Sequence, residues 1–187
     1  MLLVGYTLSG QDNDAYMFSK TETVERCVVC GYRLKFLAFN PSYEAGNSKA
    51  DFAATFDGFW IVSLRFKEFC LAEEYKDLSF GEFEKDKKHF NFGVSRIVEF
   101  DALKRQTRFE NFCSACGNYK SVIGATPSYL LISDVLKDGF YRSDLLFGSG
   151  DEKHPLIFVG IDTKAKLENT GLIGLEFSEA FGKREDI

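Results

Sequence analysis

Apolar residues share one parity through Phe90, Phe92, Val94, Val98 and Phe100, with Arg96 as the single break. Alternation of that kind predicts strand with one side turned inward. Further strands are predicted over Met1–Leu8, Tyr32–Phe39, the continuously apolar Leu156–Ile161, and a final segment in which Ile173, Leu175 and Phe177 alternate. DFAATFDGFWIV (Asp51–Val62) reads as extended, while QDND (Gln11–Asp14) and NPSYEAGNSK (Asn40–Lys49) read as loops.

The period changes after Ser63. Val62, Phe66, Phe69 and Cys70 fall at i, i+4, i+7 and i+8, which predicts a helix capped by Ser63 with Cys70 as a core thiol. A second short helix is expected after Leu156–Ile161, capped by Asp162 or Thr163 and stopped at Gly171. Strands mixed with a few short helices, without a βαβ rhythm, give an α+β class built on a mixed, mostly antiparallel sheet. No linker-like run divides the chain, so residues 1–187 are expected to form a single domain.

Composition narrows the possible partners. The 187 residues are 45% hydrophobic, enough to bury a core, and the 20 Phe are read as core packing. A net charge of −5 argues against nucleic acid as a direct partner. No basic leader or membrane-length apolar run is visible, so a cytoplasmic protein with no membrane partner is expected. Five Cys in that compartment suggest metal or redox chemistry before disulfides.

Four of the five sit in a repeated pattern, Cys27-Val-Val-Cys30-Gly31 and Cys113-Ser-Ala-Cys116-Gly117, with 82 residues between Cys30 and Cys113. Each Cys-x-x-Cys turn brings two sulfurs to one ion, and the following Gly can take positive φ so that backbone N–H groups face the thiolates. Two turns complete the tetrahedral shell of one structural Zn²⁺, in a two-knuckle, zinc-ribbon-like site. A structural zinc contributes ~10–16 kcal/mol in peptides, against ~4 kcal/mol for closing so long a loop. Arg33, Lys35 and Lys120 lie close enough in sequence to offset the excess negative charge. A redox dithiol pair, or two pairs of inert thiols, remain the alternatives at this level.

Other chemistry is sparse. His89 and His154, in charged surroundings, are expected at the surface without partners, and Gly148-Ser149-Gly150 reads as a surface turn. Leu71–Asp86 carries six acids, Glu73, Glu74, Asp77, Glu82, Glu84 and Asp86, against Lys76 and Lys85. Such a stretch is either a solvated face or a surface that attracts a basic protein partner. No catalytic constellation is recognised.

The two Cys-x-x-Cys-Gly motifs and their wide separation resemble the bacterial double-CXXCG motif family, some of whose members are immunity proteins of toxin–immunity pairs. Ser143–Ala180 is similar to that family's closing pattern, with Gly171, Leu172, Gly174, Leu175 and Phe177 in the last strand. The resemblance implies a non-enzymatic cytoplasmic protein that binds and neutralises a cognate toxin, with Cys27, Cys30, Cys113 and Cys116 as metal ligands. A zinc-stabilised interaction scaffold unrelated to toxins, and a CxxC thiol oxidoreductase, are the rival readings.

Overall fold

The computed structural model describes residues 1–18, 24–46 and 49–183. In chain order the elements are β1 (Leu2–Asp12), β2 (Phe52–Ala54), β3 (Trp60–Ser63), α1 (Leu64–Ala72), β4 (Leu78–Glu82), β5 (His89–Val94), β6 (Ile97–Val98) and α2 (Ala102–Arg105). They continue with β7 (Arg108–Cys113), β8 (Asn118–Ile123), β9 (Ser128–Tyr129), β10 (Phe140–Ser149), β11 (His154–Val159), α3 (Ile161–Glu168) and β12 (Leu175–Gly182). The strands form one sheet whose main path runs β4-β5-β3-β2-β1-β11-β10-β8-β7, with β12 paired to β1 and β9, and β6 to β10. Most pairings are antiparallel; β1–β2, β6–β10 and β9–β12 are parallel. The class is α+β, as the pattern predicts.

β1 is the hub because it is flanked on both sides: Tyr6, Thr7 and Leu8 pair at once with β11 and β12. Two apolar clusters follow from that sheet. One gathers Phe52, Trp60, Phe66, Phe92 and Phe140 under α1; the other gathers Val4, Phe100, Leu130, Phe147 and Phe158. Phe66 is fully buried, its ring 5.3, 5.4 and 5.9 Å from those of Phe52, Phe92 and Phe140. Edge and tilted contacts of this kind add to the burial term and fix the angle at which α1 meets the sheet.

α1 starts where the period changes, with Ser63 Oγ accepting from the Phe66 N–H. Asp51 steadies the cap: its carboxylate accepts from Ser63 Oγ, Arg65 and the Ile173 N–H. Cys70 is buried on the helix, and desolvation drives its thiol pKa up, as suits an inert core residue.

Several expectations need correction. Tyr32–Phe39 is not a strand; its one sheet-like contact is the isolated Arg26–Arg33 bridge. The segment is apolar because it lies over other elements, with Tyr32 packed among the cysteines and Phe39 edge-on to Phe83. Asp51–Val62 is a hairpin, β2 and β3 around a turn, rather than one extended run. Gln11 and Asp12 belong to β1, where they pair in parallel with Ala53 and Ala54. The Phe90–Phe100 run splits at Ser95-Arg96, because Arg96 leaves the strand to pair with Asp77. Of the Asn40–Lys49 loop, Asn47 and Ser48 lie outside the described residues.

Neither Asp162 nor Thr163 caps α3. Gly160 holds that position, in so close an approach to the Lys137 carbonyl that no Cβ fits. Thr163 is buried instead, accepting from the Gly139 N–H and donating to Asp138. Among the described residues no helix is long and apolar enough to cross a membrane.

Candidate metal centre

The two knuckles are built alike from different surroundings. Around the first, Cys27 N–H donates to the Tyr32 carbonyl, Gly31 N–H to the Cys27 carbonyl and Leu34 N–H to the Glu25 carbonyl. The second is the turn of the β7–β8 hairpin, where Cys113 stands opposite Asn118 and Gly117 N–H again donates to the carbonyl of its first Cys. Gly31 and Gly117 have φ of 74° and 69°, and nothing lies within 4 Å of a Cβ added to either. The requirement for glycine is therefore torsional, since a side chain in this left-handed conformation costs ~1–2 kcal/mol.

These turns bring the four sulfurs together. Cys27 Sγ lies 3.9 Å from Cys113 Sγ, and Cys30 Sγ 3.7 Å from Cys116 Sγ. All four ligand atoms are within 4.8 Å of one another. Those gaps are far too long for disulfide bonds, and the cysteines are free. They are close to the ~3.8 Å edge of a tetrahedron with metal–sulfur bonds of ~2.3 Å. The cluster could hold one metal ion with every ligand already near its place.

The surroundings favour charge on Cys27 over Cys30. N–H groups of Cys30 and Val29 directed at Cys27 bring its thiol pKa down to about 7. For Cys30 the Tyr32 N–H acts in the same sense, but burial and the bonds to Cys113, Cys116 and Cys27 outweigh it, pushing the thiol up to about 12. Charge on Cys27 is thus supported by backbone N–H groups, while charge on Cys30 beside it is opposed by burial and by the neighbouring sulfurs, an opposition that a cation would relieve.

The positive charges around the site are not those the sequence suggests. Lys35 pairs with Glu25, while Arg33 turns inward to Asp57 and the Asp151 carbonyl. Lys120 sits exposed on β8. Lys153 is the buried cation at the site: its Nζ lies 4.6 Å from the Tyr32 ring centroid and donates to the Tyr119 carbonyl. Burial lowers the Lys153 pKa, and Cys116 opposes that shift. Arg26 clamps the first knuckle, donating to the Gly31 carbonyl and in two-pronged fashion to Asp151, both bonds at 2.7 Å. Nothing in the DEKHP context marks Lys153 for this position, which only the path of β10 and β11 creates.

The remaining candidates are scattered or already engaged. His89 is not at the surface; its Nδ1 meets Asp86 Oδ2 at 2.8 Å with the ring buried. His154 is half-buried, edge-on to Trp60 at 5.3 Å, and burial lowers its pKa. Gly148 and Ser149 end β10, and Gly150 begins a single 3-10 turn. In the acidic stretch, Glu73 pairs with Lys166 and Asp77 with Arg96, while Asp86 accepts from the Ala45, Lys88 and His89 N–H groups. Glu74, Glu82 and Glu84 are exposed, and Glu84 accepts from Ser42.

No family model matches the chain, and no curated protein matches it. The residues themselves provide a four-thiol cluster able to hold one metal ion, joining an early irregular segment to a late hairpin.

Proposed function

We propose that the protein is an immunity protein, a non-enzymatic module that binds and neutralises a cognate protein toxin, held in shape by one structural Zn²⁺. The observation that carries the reading is an exposed apolar surface beside the cysteines: Val28 is 100% exposed, Val29 71% and Phe112 58%. Water-facing apolar side chains on a cross-linked turn favour contact with a partner, because little conformational freedom remains to be lost on binding. A four-thiolate shell has no open position for an activated water, which fits clamping rather than hydrolysis. Glu74, Glu82 and Glu84 add exposed negative charge of the sign that draws a basic partner by long-range attraction. The resemblance of the paired knuckles to toxin–immunity families gives the partner its class.

The metal assignment has its own measurement. Protein isolated under reducing conditions carries one zinc per chain, and reloading the stripped protein near neutral pH releases protons, because thiolates and not thiols bind. Metal-free protein with low-pKa reactive thiols points to the oxidoreductase instead. For function, co-expression with the adjacent open reading frame rescues cells from that frame's toxicity. Val28→Asp with Val29→Asp weakens the complex by tenfold or more without moving the thermal midpoint. A harmless neighbour, or toxicity that persists beside this protein, removes the immunity reading; the zinc-stabilised scaffold, supported by the same apolar surface, then stands.

A further inference from the structure

Among the described residues four buried side-chain polar atoms lack a hydrogen-bond partner, and the residues that carry three of them, Trp60 Nε1, Asn91 Oδ1 and Arg142 Nε, line one hollow. It has a volume of about 290 Å³. Residues of β3, β5, β10 and β11 wall it, together with Phe36 of the segment after the first knuckle.

Strand register turns two of the three side chains to the same side. Trp60 stands opposite Phe92, and Arg142 opposite Ile157. Directly opposed residues of an antiparallel pair project to one face, and Trp60, Phe92 and Ile157 pack in one apolar cluster, so Arg142 extends over the same side as the Trp60 ring. That ring is held in place. It is 8% exposed, stacked on Phe52 at 5.0 Å and edge-on to His154 at 5.3 Å, which leaves its N–H no freedom to turn toward another acceptor. Asn91, the neighbour of Phe92 on β5, alternates to the opposite side and takes no part.

Arg142 is the second, independent observation. Its Nη1 donates to the Ser143 carbonyl and its guanidinium carbon lies 5.8 Å from the Phe36 ring centroid, but among the described residues no carboxylate meets it. The one acid in the wall, Asp77, pairs with Arg96 at 3.0 Å. A half-buried cation without a counter-ion and an indole N–H without an acceptor both call for an anionic oxygen. The rings of Phe36, Phe59, Trp60 and Phe92 supply much of the remaining wall.

We propose that this hollow binds a small aromatic carboxylic acid, with the carboxylate on Arg142 and the Trp60 indole N–H and the ligand's ring among those four side chains. The volume accommodates a single ring with a short acid chain, at the lower end of the range for small-molecule sites. A guanidinium's planar fork matches a carboxylate, and aromatic walls favour a flat body. The site depends neither on the metal centre nor on the toxin reading.

Trp60 is the only Trp of the chain, so a single indole N–H resonance reports on the hollow. The test follows that resonance by NMR while the full chain, as isolated, is titrated with phenylacetate, phenylacetamide and acetate. Phenylacetate moves it downfield saturably. Phenylacetamide keeps the ring without the charge and acetate the charge without the ring, and each binds about tenfold more weakly or worse. Arg142→Gln, verified as folded by its thermal midpoint, weakens phenylacetate binding by about tenfold or more, and Arg142→Lys recovers part of the loss. Should Arg142→Gln fail to fold, the three ligands in the unaltered protein decide alone. An indole N–H that phenylacetate leaves in place, equal affinity for phenylacetamide or acetate, or full affinity in folded Arg142→Gln protein overturns the assignment and leaves ordered water as the occupant.

Discussion

With the proposed zinc bound, stripping it with a chelator, or replacing Cys113 by Ser, lowers the thermal midpoint by about 10 °C or more. The magnitude follows from the part of the structure that depends on the cross-link. The two large apolar clusters contain Cys70 but none of the four knuckle cysteines, so the central sheet keeps its own core. The cysteine cluster, by contrast, is a small one, in which Tyr32 packs with Cys27, Cys30, Cys113 and Cys116. Loss of even ~4 kcal/mol of the ion's ~10–16 kcal/mol moves the midpoint by ~8–16 °C in a chain of this size. Damage should be local: protease cleaves first around Arg26 and Arg33 while the β1–β12 amides stay protected from exchange. A midpoint unmoved by chelation, with those arginines still protected, shows that the thiols cluster without a stabilising ion.

Arg33→Met is expected to cost about 3 kcal/mol in urea unfolding, in the range for removing one partner of a buried charge pair. Arg33 is 4% exposed; its guanidinium lies 4.5 Å from the centroid of the Phe59 ring, donates to the Asp57 carbonyl and stands 4.0 Å from the Asp57 carboxylate. Asp57 also accepts from Met17 and Phe18 N–H groups, so one carboxylate joins the segment after β1 to the residues that follow the first knuckle. Met fills the space but leaves that charge unpaired. Lys restores the charge without the planar fork and recovers only part of the loss. The same substitution weakens metal binding, because an undocked first knuckle must be reordered when the ion binds. An unchanged urea midpoint and metal affinity would assign the docking of this segment to the sulfurs alone.

The repeated Cys-x-x-Cys-Gly pattern made the cluster legible, because ligand spacing and the glycine torsion are both local properties. Ser63 as a helix cap was legible for the same reason. Tyr32–Phe39 was not: apolar residues that cover a sheet and those that join it share a composition, and only the hydrogen-bond partners distinguish them. His89 looked solvent-exposed because its lysine neighbours are, yet the strand turns its ring inward onto Asp86. Lys153 was hidden for another reason. Its place beside Tyr32 and Cys116 comes from the return of β10 through β11, a contact with no local signature.

The position of β1 has a consequence for synthesis on the ribosome. Leu8 finds its antiparallel partners at Ile157 and Phe177, so the opening strand emerges long before either flanking strand has been translated. At ~5–20 residues per second, the nascent chain carries that apolar ribbon uncovered for roughly ten seconds or more. Until the last strand clears the exit tunnel, the half-made polypeptide must rely on temporary shelter.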